Sequence, residues 1–193
     1  MSTDPSTPGA STAQPGRPFR LHIGGEDVRE GWKILNVQPL EGVDFIGNAT
    51  DLSQFADNSI LEVYGSHIYE HLDYVRELHA ALAEAFRVLR PGGLMRIGVP
   101  DLDALCRLML RPDLDPEKKF FVMRMIYGGH MNAWDYHKVG FNFDLLGQFM
   151  WDVGFRDIRR VERFGLFPDA TDIVYEGVPI SLNVMGTKPL GDR

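Results

Sequence analysis

Apolar positions change period repeatedly between Phe19 and Gly186, and each change predicts an element. Phe19–Ile23 (FRLHI), Lys33–Val37 (KILNV), Val43–Ile46 (VDFI), Ile60–Tyr64 and Leu94–Val99 are short runs rich in apolar and β-branched residues, the pattern of strands. From Asp73 the period lengthens. Val75, Leu78, Leu82, Ala85, Phe86 and Leu89 recur at three- and four-residue steps, which marks one face of a helix. Arg90 suits the negative end of that helix, and Pro91-Gly92-Gly93 is expected to stop it. A strand, a helix of this length and a second strand make a parallel βαβ unit with a right-handed crossover. Further helices are predicted over Leu102–Leu110, around Phe121–Tyr127, and after Asn142, an N-cap for Leu145, Leu146, Phe149, Met150 and Val153, with Gly154 as the stop. Asp157–Arg163 and Ile180–Gly186 read as the last strands, with Phe164–Pro179 as a long loop between them. The alternation of Ile180, Leu182 and Val184 with polar neighbours marks a half-buried strand.

The spacing of the first strands excludes one reading. Only Gly24–Trp32 separates the first two, too little for a full crossover helix. A dinucleotide fingerprint needs three spaced glycines, a helix, and an acid about 20 residues on, and none of these is present. The net charge of −7 argues against a general nucleic-acid binder, which needs clustered Lys and Arg. The single cysteine, Cys106, allows no internal disulfide. No apolar run is long enough to span a membrane, and the N-terminus lacks the apolar core of a signal peptide, so a cytoplasmic protein is expected. Residues 1–18 are Ser, Thr, Pro, Gly and Ala with almost no large apolar side chain, and are expected to form a disordered tail before one domain over 19–193.

In an open parallel sheet, ligands bind at the carboxyl ends of the strands. Two loops leave such ends: Gly65–His71, carrying His67, Glu70 and His71, and Pro100–Asp103, carrying Asp101 and Asp103. Lys118–Gly140 adds His130, Trp134, Asp135, Tyr136 and His137 after Gly128-Gly129, a composition that fits a lid or substrate wall. Glu70, His71, Asp135 and His137 are legitimate metal-ligand types, but no tight motif such as HExxH joins them, so no metal centre is expected. Asp101 reads as a helix cap and His22 as a packed strand residue.

The segments SHIYEH (Ser66–His71), RVLRPGG (Arg87–Gly93), VPDLD (Val99–Asp103) and the closing ISLNVMGTKP, with MRMIYGG…DYHKVGF over Met123–Phe141, carry a resemblance. From Phe19 to Pro189 the chain resembles the class I S-adenosylmethionine-dependent methyltransferases, in particular the small bacterial type 11-like subgroup. The resemblance implies a Rossmann-like α/β three-layer sandwich with a mainly parallel seven-stranded sheet and an antiparallel last strand. It implies S-adenosylmethionine as cofactor, with Gly24, Gly25 and Glu26 in the loop around its methionine and ribose. Asn36 stands where an acid usually accepts the ribose hydroxyls. Asn48 stands where an Asp usually binds adenine; Ala49 follows it, and Asp51 is an alternative. Ser66 and His67 face the sulfonium and the acceptor. Glu26 replaces a usual glycine, so the cofactor loop lacks one glycine and two acids of the family pattern. His67 and His137 are the expected catalytic residues, because a histidine suits removal of a proton from an oxygen acceptor near neutral pH. His71, His130, Trp134, Asp135 and Tyr136 are the expected substrate wall. The function expected is methyl transfer to a small-molecule or glycan acceptor, on oxygen before nitrogen, in a protein that could form a homodimer. The alternative is a catalytically silent, methyltransferase-like module that binds or regulates a partner.

Overall fold

The computed structural model describes residues 18–191. The expected tail over 1–18 lies, save for its last residue, outside the described residues. Strands β1 (Phe19–Ile23), β2 (Trp32–Asn36), β3 (Phe45–Ile46), β4 (Ile60–Ser66), β5 (Leu89–Pro100), β6 (Arg156–Val161) and β9 (Ser181–Thr187) form one sheet in the order β3-β2-β1-β4-β5-β9-β6. β3, β2, β1, β4 and β5 pair in parallel, and β9 inserts antiparallel between β5 and β6. This is the expected Rossmann-like architecture with an antiparallel last strand. The helices are α1 (Glu77–Val88), α2 (Leu102–Leu110), α3 (Pro116–Tyr127) and α4 (Phe143–Val153). A small hairpin, β7 (Val174–Tyr175) and β8 (Val178–Pro179), lies within the segment expected to be loop.

Strand alternation divides the side chains between two faces. Leu21, Ile23, Leu35, Val63, Met95, Ile97, Val99, Leu182 and Val184 meet Leu78, Ala81, Leu82, Ala85 and Val88 of α1 and Leu146 and Met150 of α4, forming the main core. The opposite face carries Trp32 and Tyr64, which pack with Phe164, Leu166 and Phe167. Neither the β1–β2 nor the β2–β3 connection contains a helix, so at this point the 164–167 segment supplies the cover. Tyr64 Oη donates to the Asp169 carboxylate and Arg29 donates to the Leu166 carbonyl, which tie that segment down. α2 and α3 pack on each other through Leu105, Leu108, Leu114 and Val122, with Ile180 and Val178 beside them.

Three boundaries differ from the sequence reading. Pro91-Gly92-Gly93 does not separate helix from strand: α1 ends at Val88 and β5 begins at once at Leu89. The register with β4 slips between Ile60↔Leu89 and Glu62↔Leu94, so the Pro-Gly-Gly is a bulge. Pro91 has no N–H for a ladder and Gly92 sits at φ +76°, a left-handed conformation suited to glycine. α1 starts at Glu77 rather than Asp73, whose carboxylate instead accepts from the N–H groups of Val75 and Arg76 in a preceding turn. α3 starts at Pro116, with Asp115 accepting from Lys118 N; the Asp-Pro pair was its start signal. Asn142 and Gly154 cap α4 as expected. Asp101 caps α2, accepting from Asp103 N and Ala104 N, and also pairs with Arg160 at 2.6 Å.

His22 is 4% exposed, within ring contact of Trp32, Tyr64 and Phe167, and its Nδ1 has no hydrogen-bond partner. Burial pushes its pKa down to about 4, against the opposing charges of Asp169 and Asp27. The folded protein therefore keeps this ring neutral in a range where the unfolded chain is protonated. Stability from this group is complete above about pH 6.5 and is lost as pH falls towards 4, by roughly 3 kcal/mol in all. In urea titrations at pH 7 and pH 4.5, His22→Phe is expected to lose less stability on acidification than the wild type. Equal losses would assign the acid sensitivity to other groups. A Cβ added at Gly25 would lie 2.3 Å from His22 Nδ1. Gly25→Ala is therefore expected to cost about 1–3 kcal/mol, and His22→Ala, by vacating the space, to recover part of that loss in the double variant.

Candidate active site

The carboxyl ends of β1, β2, β3 and β4 open into one cavity of about 380 Å³, within the range of small-molecule sites. Its floor is apolar: Ile23, Leu35, Ile68 and Leu72. Gly24 lines it at φ +73°, and a Cβ there would meet Ile68 at 2.7 Å, so both conformation and space call for glycine. Glu26, Asn36, Asn48, Ala49, His67 and His71 also line the cavity, and Trp134 and Tyr136 reach it from the 128–140 segment. Gly25 stands behind this wall against His22, and Ser66 is the last residue of β4; neither lines the cavity.

Two of the expected cofactor contacts are occupied within the protein. Asn36 Oδ1 accepts from Gln38 N, and its Nδ2 donates to the Gly25 carbonyl, which closes the first loop onto the end of β2. Asn48 Oδ1 accepts from Thr50 N. Gln38, Val37, Glu77 and Lys138 line the cavity without having been singled out from the sequence. Gln38 follows β2 by two residues and had a positional signal. Lys138 had none, since tertiary folding alone brings it to Glu77, with 2.8 Å between Nζ and Oε2. The cavity's size, its glycine wall and its polar rim fit a nucleoside-bearing cofactor, with Gly24, Gln38 and Asn48 as the groups near it.

At the other end of the cavity a carboxylate sits among imidazoles. Glu70 lies in a 3-10 turn, Tyr69–His71, and is 1% exposed. His67 Nδ1 approaches its Oε1 at 3.3 Å, off the line of a hydrogen bond, so neither carboxylate oxygen has a hydrogen-bond partner. His137 Nε2 is 3.9 Å from the same oxygen. The His71 and His137 rings meet edge to face at 4.8 Å. Burial acts to raise the Glu70 carboxyl, and His67, His71 and His137 overcome it, leaving it below the usual range. Burial lowers the His137 imidazole, against Glu70. His67 has φ +53°, uncommon for a side chain other than glycine. Its Nε2 lies 3.0 Å from Ser181 Oγ, which donates its own proton to the Ala170 carbonyl at 2.7 Å. Ser181 must therefore accept from Nε2–H, leaving Nδ1 of a neutral ring unprotonated and facing Glu70.

The remaining expected substrate residues shape the 128–140 segment. Asp135 accepts from Met131 N and does not orient His137; Glu70 stands in that place. The His130 ring stacks on Tyr136 with centroids 4.1 Å apart. Trp134 is 60% exposed at the cavity mouth. The segment is fastened to the β4 turn by Lys138 N and Val139 N, both donating to the Glu70 carbonyl. Within the segment read from the sequence as a long loop, Phe164, Leu166 and Phe167 cover the sheet face, and no residue of 164–179 lines the cavity. Among the described residues no helix is long and apolar enough to cross a membrane.

Residues 25–97 match a family model described as a methyltransferase domain. No curated protein matches the sequence. Solved structures share the fold at low identity. A methyltransferase dependent on S-adenosylmethionine from Archaeoglobus fulgidus aligns with a TM-score of 0.55 and 18% identity, over 90% of this chain and 87% of that one. A possible histamine N-methyltransferase from Thermotoga maritima aligns at 0.54 and 18%, over 90% and 83%. An N-methyltransferase of Haemonchus contortus, in complex with phosphomonomethylethanolamine and S-adenosylhomocysteine, aligns at 0.52 and 14%, over 91% and 50%. The strand order is that of the Rossmann-like methyltransferase fold, and over residues 25–97 the chain is similar to the methyltransferase domain of the type 11 kind.

Proposed function

We propose that the protein transfers a methyl group to a hydroxyl oxygen of a small-molecule or glycan acceptor. The observation that supports this reading is the single cavity with two chemically distinct ends: the β1–β3 loops at one, and His67, His71 and the aromatic 128–140 segment at the other. S-adenosylmethionine, when bound, supplies an already activated methyl group. The protein's share is to align the acceptor and to take its proton.

Gly24, Gly25, Glu26, Asn36, Asn48, Ala49 and Ser66 form the cofactor end in this reading, Gly25 and Ser66 acting through backbone position. His67 touches both partners. The cofactor held there would give its methyl carbon to the acceptor oxygen, its sulfur keeping the bonding pair, with His67 and the 128–140 wall holding the acceptor in line. The acceptor's proton passes to His67 Nδ1, where the Glu70 carboxylate stabilises the resulting cation. His137 is the second imidazole beside that carboxylate. His71, Trp134 and Tyr136 wall the acceptor, with His130 and Asp135 holding the segment that carries them. A cytoplasmic setting suits this chemistry.

A second reading, a catalytically silent module, is favoured by one observation: the Asn36 amide and the Asn48 side-chain oxygen are hydrogen-bonded to the protein's own backbone. Calorimetric titration separates the two. Enzymatic function predicts micromolar binding of S-adenosylmethionine and S-adenosylhomocysteine, about −8 kcal/mol. Absence of heat up to millimolar ligand, with folding verified, would establish the silent module. In a screen of hydroxylated acceptors, His67→Ala is expected to lower kcat by about 10²-fold or more; an unchanged rate would remove His67 from the reaction.

A further inference from the structure

Glu70, His71 and His137 each offer a ligand atom within 4.8 Å of the others. We propose that these three residues bind a divalent transition-metal ion, of which Zn²⁺ fits best, at the acceptor end of the cavity. Two imidazoles and one carboxylate are a donor set that suits Zn²⁺ with a further position open to an oxygen ligand.

The second, independent observation is the state of the carboxylate. Glu70 is 1% exposed and both its oxygens lack a hydrogen-bond partner. Buried charges in proteins are normally paired, hydrogen-bonded or coordinated to a metal. The groups that surround this one are imidazoles, each able to present a lone pair. His71 Nδ1 lies 3.1 Å from the Tyr136 carbonyl oxygen. A carbonyl only accepts, so Nδ1 carries the proton and Nε2 is the nitrogen able to coordinate. Such a bond from the outer ring nitrogen to a carbonyl is the usual support of a metal-bound histidine. His137 turns Nε2 towards Glu70, 3.9 Å from its Oε1. A cation placed between this carboxylate and the imidazole nitrogens is attracted by both.

The backbone builds the cluster from two distant stretches. Glu70 and His71 come from the turn after β4, while His137 comes from the segment after α3. The Glu70 carbonyl joins them by accepting from Lys138 N and Val139 N. His71 also lines the cavity, so the ion lies at its wall, with its open position available to an oxygen donor. That this donor is the acceptor hydroxyl rests on the proposed methyl transfer; metal binding does not.

The test uses the full chain without a polyhistidine tag, stripped with a chelator, and needs neither cofactor nor acceptor. Titration with Zn²⁺ at micromolar concentration is expected to show one equivalent bound and a rise in Tm. Co²⁺ is expected to give visible absorption bands of a low-coordinate nitrogen–oxygen site. Glu70→Gln and His137→Ala are expected to weaken binding by at least about tenfold. His71→Asn does the same at a half-buried position with less risk to folding, which circular dichroism verifies. The exposed His79→Ala is the control and binds as the wild type does. Failure of the wild type to take up either ion, or uptake unchanged in His71→Asn and Glu70→Gln, overturns the proposal. Because no methyl transfer is measured, loss of the functional reading would leave this result standing, and the reverse holds equally.

Discussion

The burial of Glu70 is the constraint on which the site depends. Its main-chain carbonyl accepts two N–H groups from the 128–140 segment, and its side chain meets imidazoles from both stretches. A carboxylate removed from water without hydrogen bonds is costly unless positive charge or a shared proton accompanies it. The surrounding histidines supply that compensation, and they hold one end of the cavity in place through the same contacts. His67 is fixed further by Ser181, so the start of β9 is tied to the loop that follows β4.

The sheet explains why such a site can exist in so short a chain. Its parallel strands β1, β2, β3 and β4 end together, and their connections meet above that edge. One face is packed by α1 and α4 in the ordinary way. On the other, the first two crossovers are too short for helices, and aromatic stacking by Phe164 and Phe167 on Tyr64 does the covering. The 164–179 segment is thereby committed to the fold. The 128–140 segment is the one left to wall the cavity.

The two ends of the cavity differ in character. At the β1–β3 end, the Asn36 amide is tied to the backbone of Gly25 and Gln38, and the exposed Glu26 carries negative charge to the rim. At the end that carries His67 and His71, ionisable groups are crowded and partly buried, and the Glu70 carboxylate lacks hydrogen-bond partners. Polar groups left unsatisfied inside a fold mark the places where a ligand, an ion or a proton completes the structure.

Local chemistry determined much of this protein. The period of apolar residues set the strands and helices, Asn142, Asp101 and Gly154 set their ends, and position along the chain put His67 at a strand's carboxyl end. Boundaries failed where tertiary pairing overrode local punctuation. Pro91-Gly92-Gly93 is a helix stop by sequence and a bulge in fact, because Leu89 already pairs with Ile60. The site was half legible for the same reason. Gly24, Asn48 and His67 could be placed from the strand ends they follow, since that relation is local. The partnership of Glu70 with His137, of His67 with Ser181, and of Lys138 with Glu77 joins residues 61 to 114 positions apart. No periodicity or spacing encodes such pairs. Sequence supplied the ionisable groups, and only the closing of the chain decided which of them share one small, water-poor space.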